Sequence, residues 1–262
     1  MIIIIVGIAL LSIASVLLKW LTVAGSVTAF VLGVIIYKAF GWQGLILLGL
    51  FFITSTLLTK WKKDKKLGND ASHTEDKKGR TAGQVLANGG AALLAAVGYV
   101  TISDPIWMIV FAATFATATA DTWASEIGVL SKKRPFHIKE WRRVDPGLSG
   151  AISSIGTVAA AFGATFIGFS FYMLYDSSIA IGLCIALSGF LGNIADTIFG
   201  AWFEQKYVCS ICKRETESHV HCGVKTIKIF GNPFFTNNVV NFSSTIIGGL
   251  IAGGLYIWIK SW

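Results

Sequence analysis

Residues 105–130 read PIWMIVFAATFATATADTWASEIGVL, and this stretch decides the fold. It is an apolar run longer than the ~20 residues that an α-helix needs to cross the hydrocarbon core of a bilayer. Two acids, Asp121 and Glu126, interrupt it near its carboxyl end. Because ionisable groups are costly in lipid, such acids usually face a polar cavity or the interior of a helix bundle. The stretch therefore predicts a transmembrane helix with a functional end.

The rest of the chain has the same character. Of its 262 residues 54% are hydrophobic and only 14% charged, and the mean hydropathy is +0.67, which is too apolar for an ordinary soluble domain. The apolar runs are helix-length, whereas a transmembrane β-barrel would alternate apolar and polar residues over ~10 positions. We predict an all-α, polytopic membrane helix bundle that forms a single domain over 1–262. Its eight or so transmembrane helices are expected near 2–18, 21–40, 44–59, 83–102, 105–130, 149–174, 178–203 and 238–259.

Three polar loops separate the later spans, at 60–82, 131–148 and 204–237. All but two of the 22 Lys and Arg residues lie in these loops or at Lys19, and with eight spans these positions share one side of the membrane. The positive-inside rule puts that side in the cytoplasm and both termini outside, as in a multi-pass protein of the cell membrane. The net charge of +8 is thus explained by orientation in a lipid bilayer, and no nucleic acid partner is predicted.

A second span carries acids at the same depth. Residues 192–204 read GNIADTIFGAWFE, in which Asn193 and Asp196 are three apart and share one helical face. This span and the span of Asp121 and Glu126 both run from outside to inside, so their acids are expected to meet at the cytoplasmic end. Three carboxylates with little basic charge nearby repel one another unless a cation neutralises them. Carboxylate and amide oxygens suit Mg²⁺, so Asp121, Glu126 and Asp196 are the predicted magnesium ligands.

The spans that run the other way begin with polar residues at this depth. The fourth opens with GRTAGQVLANGG (79–90), where a glycine-rich helix start behind Arg80 is a candidate phosphate site, although no Walker or GxGxxG pattern is present. The sixth opens with GLSGAISSIG (147–156) and the eighth with TNNVVNFSS (236–244). The simpler interpretation, hydrogen bonds between helices or helix caps, is favoured for Ser153, Ser154, Thr117, Thr119 and Ser243.

Three of the four cysteines lie in the third loop, as Cys209-x2-Cys212 and then His219-Val220-His221-Cys222. Thiols in a cytoplasmic loop stay reduced, so disulfides are disfavoured. The spacing is typical of a zinc site with Cys209, Cys212, Cys222 and one histidine as ligands, and His221 is favoured slightly over His219. Metal-free thiols remain the alternative. A site with four protein ligands would order the loop rather than catalyse a reaction.

The motifs RTAGQVLANGG, TADTWASEIG, GNIADTIFGAWFE and NNVVNFSS together resemble those of the DUF92 (TMEM19-like) family of membrane proteins, over most of residues 20–260. That family is similar to the plant phytyl-phosphate kinase, which converts an isoprenyl monophosphate to the diphosphate with a nucleoside triphosphate, and more remotely to CTP-dependent polyprenol kinases. One departure is the stretch PGLSGAISS (146–154), where relatives carry an acid in a DGAVS-like sequence; Asp145 is the candidate substitute. The resemblance puts these residues at the family's motif positions: Arg80, Asn88, Asp121, Glu126, Asn193, Asp196, Asn238 and Asn241.

These observations suggest an isoprenyl-phosphate kinase that uses Mg²⁺ and CTP or ATP, acting on phytyl, geranylgeranyl or farnesyl phosphate. The rivals are a transporter or flippase, which needs polar groups through the midplane, and a cytidylyltransferase that forms a CDP-lipid. The sequence leaves the oligomeric state open. The predicted catalytic residues are Asp121, Asp196, Glu126 and Arg80, and the predicted nucleotide- and phosphate-binding residues are Arg80, Thr81, Gly83, Asn88, Asn193, Asn238 and Asn241.

Overall fold

The fold is that of a computed structural model, and the structure describes residues 1–66 and 79–261. Apolar helices dominate these residues and confirm the prediction of an all-α polytopic membrane bundle. Part of the predicted loop 60–82 lies outside the described residues. The helices are α1 (Ile2–Leu17), α2 (Val23–Lys66), α3 (Ala82–Ile102), α4 (Ile106–Gly128), α5 (Ser154–Leu174), α6 (Ile179–Phe203) and α7 (Asn237–Lys260).

Helix α2 is a hairpin with two arms, broken at Gly41. The backbone of Gly41 has φ 67° and ψ −159°, a conformation that is essentially restricted to glycine. A methyl group at Gly33 would contact the side chains of Leu45 and Leu48, which a straight helix would place about 18 Å or more further along its axis. The arms 23–40 and 42–66 therefore run antiparallel and correspond to two of the predicted spans.

Six helices in the described part of the chain are long and apolar enough to cross a membrane, with α2 counted once, and the shorter α1 is also apolar. Counting both arms of α2, the helices number eight, as expected from the sequence. Most bounds agree within two residues. The largest differences are at the end of α2, which continues to Lys66 rather than ending near 59, and at the start of α5, which begins at Ser154 rather than near 149. At α5 the reason is that Gly150 has φ +83° and residues before Ser153 pair as a strand.

The bundle has two distinguishable faces. On one face, Thr22 N–H donates to the Arg80 carbonyl at 3.0 Å, and Lys60 Nζ donates to the Leu18 carbonyl at 3.1 Å. The turn at 18–22, the segment at 79–81 and the end of the second α2 arm therefore lie on the same side of the bundle. On the other, the Tyr175 hydroxyl donates to the carbonyl before the α2 break, at 3.3 Å. We call the first the loop face; it carries the turn 18–22, the segment 79–81 and the loops 129–153 and 204–236.

Helix α4 is the centre of the bundle. Its residues 111–120 are buried without interruption, as expected of a helix that is surrounded by other helices. Phe111 packs on Phe40 with ring centroids 4.2 Å apart, and Phe115 stacks on Phe51 at 5.5 Å. One side of α4 thus contacts α2, while other sides contact α5, α6 and α7.

Short antiparallel strands organise the loop face, where the sequence analysis predicted only loops. Residues 129–153 and 204–236, which we call the loop layer, are joined by ion pairs of Glu140 with Lys206 (2.6 Å) and of Arg142 with Glu215 (2.7 Å). The strands form sheets in the orders β2-β1-β3, β5-β4-β8 and β6-β7. They are β1 (Phe136–His137), β2 (Arg142–Arg143), β3 (Ala151–Ile152), β4 (Lys206–Val208), β5 (Glu215–Thr216), β6 (Val220–His221), β7 (Val224–Lys225) and β8 (Ile227–Phe230).

Candidate active site at the loop face

Helices α4, α6 and α7 meet at a junction of small residues. A methyl group added at Gly192 of α6 or at Gly248 of α7 would overlap the side chain of Thr117. Small residues permit this close approach of backbones in membrane bundles. One helical turn nearer the loop face, α4 presents Asp121 to the same neighbours.

Two carboxylates face one another above this junction. The Asn193 amide donates a hydrogen bond of 3.2 Å to Asp121 Oδ1, so the amide fixes the orientation of that carboxylate. The carboxyl groups of Asp121 and Asp196 lie close enough to interact, and Ser244 of α7 lies near Asp196. Asp196 Oδ1 is buried without a hydrogen-bond partner among the described residues. The structure thus brings together two predicted magnesium ligands and one predicted amide.

Two further acids, which the sequence analysis did not select, extend this pair. Glu204 follows the last residue of α6 and is only 5% exposed, and its Oε2 has no hydrogen-bond partner in the described part of the chain. Burial and then the neighbouring Glu217 raise the pKa of Glu204 to about 8. Glu217 comes from the third loop and accepts a hydrogen bond from the Ser149 N–H. Burial also raises the pKa of Glu217. We call Asp121, Asp196, Glu204 and Glu217 the acidic cluster.

Ser149 connects the two loop acids because the segment around it packs tightly on the end of α6. Gly150 has φ +83°, and a methyl group there would overlap Ala201. Gly200 lies against the Ser149 side chain in the same way, at 2.8 Å from an added methyl. The Ser149 side chain also lies close to Glu204. The motif containing Asp196 therefore positions the loop as well as supplying an acid.

Asp145, the predicted substitute for the missing acid of that stretch, does not enter the cluster. Its carboxylate pairs with Arg134 at 3.3 Å, and both side chains are substantially exposed. Glu217 supplies a carboxylate at Ser149 instead. No local sequence signal marks Glu217, since its contact is made between two loops that are distant in sequence. Glu204 had a signal, because it ends the quoted motif two turns beyond Asp196.

Glu126 and Arg80, two of the predicted catalytic residues, lie on the α2 side of α4. Glu126 accepts a hydrogen bond of 2.8 Å from Thr59, although it remains within electrostatic range of Asp121. Five residues of an α-helix turn a side chain by about 140°, so the two α4 acids point to different neighbours. The Arg80 guanidinium lies 6.0 Å from the ring centroid of Phe51 in α2. The geometry thus divides the predicted catalytic set into two groups.

The predicted binding residues of α3 serve the helix start. Thr81 and Gln84 form a capping box, in which Gln84 N–H donates to the Thr81 hydroxyl and Thr81 N–H donates to the Gln84 side chain at 2.9 Å. The Asn88 amide donates to the Gln84 carbonyl at 3.1 Å. Two backbone N–H groups expected to hold phosphate are therefore already used. Gly83 faces α7, where a methyl group would lie 3.0 Å from the Asn238 amide.

Helix α7 lies between this helix start and the acidic cluster. Asn241 Oδ1 is buried and has no hydrogen-bond partner within the described ranges, while the Asn241 carbonyl accepts from Ser244 at 2.9 Å. Asn238, one turn earlier, lies at a groove of about 410 Å³ between α3 and α7. The groove lining is almost entirely apolar: Gly83, Leu86, Ala87, Gly90, Leu94, Asn238, Val239 and Phe242.

The third loop also brings four potential metal ligands together, and we call them the thiol–imidazole cluster: Cys209, Cys212, His221 and Cys222. One ligand atom from each lies within 4.8 Å of the others. His219, the less favoured histidine, packs instead against the Tyr207 ring with centroids 4.7 Å apart. Cys184 lies apart, buried in α6.

Comparison with known proteins identifies the family of the chain. The model of a family described as "Integral membrane protein DUF92" matches residues 6–249. This chain belongs to the DUF92 family. The motifs that suggested the resemblance supply Asp121, Asn193 and Asp196 to the junction of α4, α6 and α7. The chain is thus an integral membrane protein of the DUF92 family.

Three relatives show how far the DUF92 similarity extends. The uncharacterized membrane protein MJ0933 of Methanocaldococcus jannaschii is 32% identical over 233 residues, which cover 88% of this chain and 84% of the relative. Protein PGR of Arabidopsis thaliana is 29% identical, covering 92% and 91% of the two chains. The chloroplastic protein VTE6 of the same plant is 27% identical, covering 72% and 58%. No solved structure matches this DUF92 chain.

Proposed function

We propose that this protein is a membrane phosphotransferase that converts an isoprenyl monophosphate to the diphosphate with CTP or ATP. The acidic cluster is the observation that carries the proposal. It combines buried carboxylate oxygens that lack hydrogen-bond partners in the described structure with a position at the helix ends, beneath the loop layer. The resemblance to phytyl-phosphate kinases points to the same chemistry. Phytyl, geranylgeranyl and farnesyl phosphate are the candidate acceptors.

The donor set of the cluster fits Mg²⁺. Hard divalent cations take carboxylate and amide oxygens, and Mg²⁺ is usually held by one or two carboxylates together with substrate phosphates. Asp121 and Asp196 would hold the ion, and Glu204 takes the third place that the sequence assigned to Glu126. When bound, Mg²⁺ neutralises the charge of the transferring phosphoryl group. Asn193 orients Asp121 through its hydrogen bond, as partners of metal ligands commonly do.

The groove between α3 and α7 is the proposed seat of the isoprenyl tail. Its apolar lining suits a hydrocarbon chain, and Asn238 in the first turn of α7 gives it one polar position near the loop face. Asn241, one turn further, is next to Ser244 and thereby to the acidic cluster. An acceptor phosphate near the start of α7 would therefore approach the cluster.

The chemical step needs positioning more than proton transfer. An oxygen of the acceptor monophosphate attacks the γ-phosphorus, a new P–O–P linkage forms, and the bond to the β-phosphate oxygen breaks to release the nucleoside diphosphate. The acceptor phosphate is already ionised at neutral pH, so no general base is required. Asn193 and Asn241 would hold the reacting groups in line, which is the main protein contribution in phosphoryl transfer.

The junction beneath the acidic cluster argues against a transporter or flippase. Thr117 fills the space that Gly192 and Gly248 leave, so α4, α6 and α7 are in direct contact below the acids. A transport path would instead continue polar groups through the midplane. A cytidylyltransferase would use the same metal site but release pyrophosphate and form a CDP-lipid.

The test uses purified protein in lipid nanodiscs, with each isoprenyl monophosphate, Mg²⁺ and CTP or ATP. We expect an isoprenyl diphosphate and a nucleoside diphosphate, separated by chromatography with mass detection. An Asp196→Asn preparation made in parallel excludes a contaminating kinase. Folded protein that makes no product with any pairing contradicts the proposal, and a CDP-lipid with pyrophosphate would establish the cytidylyltransferase instead.

A further inference from the structure

We propose that the thiol–imidazole cluster binds a structural zinc ion, and that this ion fixes the position of Glu217 at the acidic cluster. The zinc site itself is independent of the phosphotransferase function. The consequence for Glu217 matters to catalysis only if the proposed function holds.

The ligand atoms lie near the spacing of a zinc tetrahedron. His221 Nδ1 lies 3.4 Å from Cys212 Sγ and 3.2 Å from Cys222 Sγ. Zinc bonds of ~2.3 Å to sulfur and ~2.0 Å to nitrogen place neighbouring ligand atoms ~3.5–3.8 Å apart. The largest separation in the cluster is 4.8 Å, so an ion at its centre would need ligand shifts of less than ~1 Å.

The first ligand pair lies on a tight turn after β4. Cys209 N–H donates to the Arg214 carbonyl and Lys213 N–H donates to the Cys209 carbonyl, each at 3.0 Å. The turn thereby holds the Cys209 and Cys212 sulfurs within 4.8 Å of each other.

The second ligand pair lies on a two-residue hairpin turn between β6 and β7. Cys222 has φ 52° and Gly223 has φ 75°, as in the type I′ turn that joins short antiparallel strands. A left-handed conformation is unfavourable for cysteine and is tolerated where the surroundings require it, commonly at ligand clamps. Here it brings the Cys222 sulfur to the His221 ring.

Four protein ligands leave no open coordination position, so the ion would be structural rather than catalytic. Its effect is to join the turn at 209–212 to the hairpin at 221–222. Glu217 lies between these two segments, directly after β5, which pairs with β4. The link therefore restrains Glu217 from both sides and holds its carboxylate at Ser149.

The first experiment measures zinc in purified protein by mass spectrometry, after exhaustive dialysis against metal-free buffer. We expect about one zinc ion per chain in the parent and in Cys184→Ser, whose thiol lies outside the cluster. Cys209→Ser and Cys212→Ser should each lose most of it. A parent without zinc, or with a disulfide in the third loop under reducing purification, would overturn the zinc assignment.

A second measurement avoids the risk that a variant fails to fold. Zinc is removed from the parent with a chelator, the chelator is washed out, and Co²⁺ is added. A tetrahedral site with three thiolates should give intense visible bands and a sulfur-to-cobalt charge-transfer band. A spectrum of hydrated, octahedral cobalt would contradict the proposed ligand set.

The link to Glu217 is tested through Mn²⁺, whose electron paramagnetic resonance reports binding at the acidic cluster without requiring turnover. Parent protein with zinc, parent without zinc and Glu217→Gln are compared. We expect zinc removal to weaken Mn²⁺ binding at least threefold in the parent and to have no further effect in Glu217→Gln. Unchanged Mn²⁺ affinity after zinc loss would refute the positioning role. Absence of kinase activity with this coupling intact would refute only the proposed function.

Discussion

Asp196 is the residue on which the proposed chemistry depends most. One of its carboxylate oxygens is buried without a hydrogen-bond partner in the described structure, while Asp121 and Ser244 approach the group from two other helices. A buried carboxylate oxygen without a partner is unfavourable, and a cation is the usual remedy. A substitution of Asp196 can therefore distinguish a metal site from a polar contact that only stabilises the fold.

Replacing Asp196 with Asn removes the charge and keeps the size of the side chain. We expect the rate of diphosphate formation to fall at least ~100-fold, because charge stabilisation in the transition state is lost. The matched control is Asp176→Asn, which makes the same change beyond α5, on the face away from the loops. Glu126→Gln should lose less activity than Asp196→Asn. Equal losses in Asp196→Asn and Asp176→Asn would show that the effect is not local to the site.

His137 offers a test of the loop layer by pH. It is fully buried, its Nδ1 accepts the Glu140 N–H at 3.2 Å, and its Nε2 lies 3.2 Å from the Ser149 carbonyl. Burial, and then the nearby Lys206, lower the pKa of His137 below its usual 6.5. The unfolded segment therefore takes up a proton at a higher pH than the folded one, so stability falls as the pH drops below about 6.5 and is constant above it for this group.

The measurement is hydrogen exchange of the amides in 136–152, corrected for the intrinsic rate at each pH. The free energy of opening should fall on acidification in the parent. His137→Gln, which keeps an amide donor for the Ser149 carbonyl, should lose most of this dependence. A parent whose opening energy is flat between neutral pH and pH 5 would contradict the assignment of a buried, neutral imidazole.

At the scale of the helices, side-chain volume decides how closely α4, α6 and α7 approach. Gly189 packs on Ala116, and Gly192 and Gly248 pack on Thr117. A larger residue at any of these glycines would push its helix away from α4. The distance between the Asp121 and Asp196 carboxylates would then increase. The geometry of the acidic cluster is thus a consequence of the junction below it.

Gly248→Ala should destabilise the protein by about 1–3 kcal/mol, since the added methyl overlaps Thr117. Gly254→Ala, on the same helix with open space around it, should be neutral or stabilise by up to ~1 kcal/mol. The midpoints of thermal unfolding in detergent give the comparison. If Gly248→Ala unfolds at the parent temperature, the close packing of α7 on α4 is wrong.

The helices could be predicted from the sequence because hydropathy is a local property. The apolar runs located eight helices, and the acids at 121 and 196 were assigned to one depth from span direction alone. The other acids of the acidic cluster could not be predicted in this way. Glu217 reaches the site through a contact between two loops. The hydrogen bond of Glu126 with Thr59 could not be predicted either, because depth in the membrane does not determine the face of the helix that carries a side chain.

For the whole molecule, the two faces follow from the alternating directions of successive helices in the described residues. The loop layer, the acidic cluster and the thiol–imidazole cluster all lie on the loop face, whereas the break at Gly41 and the turn after Tyr175 lie on the other. The distribution of Lys and Arg predicts that the loop face lies in the cytoplasm. A nucleotide from the cytosol and a lipid from the bilayer would then meet without either crossing the membrane.

Labelling with a membrane-impermeant maleimide tests this orientation. Asp176→Cys should react in intact cells, whereas the parent should not, because its exposed thiols, Cys212 and Cys222, face inward. Lys132→Cys should react only in inverted vesicles. In inverted vesicles, Cys212 and Cys222 of the parent should react once a chelator has removed the proposed zinc ion. The reverse pattern would place the loop face outside.

The hydrogen bond between Ser149 and Glu217 also has an evolutionary consequence. An aspartate at 149 and a glutamate at 217 would deliver a carboxylate to nearly the same point, one from the second loop and one from the third. A single acid is enough, so substitution at one position relaxes selection at the other. Among related sequences these two positions should covary, and the function would survive the exchange even though the recognisable motif does not.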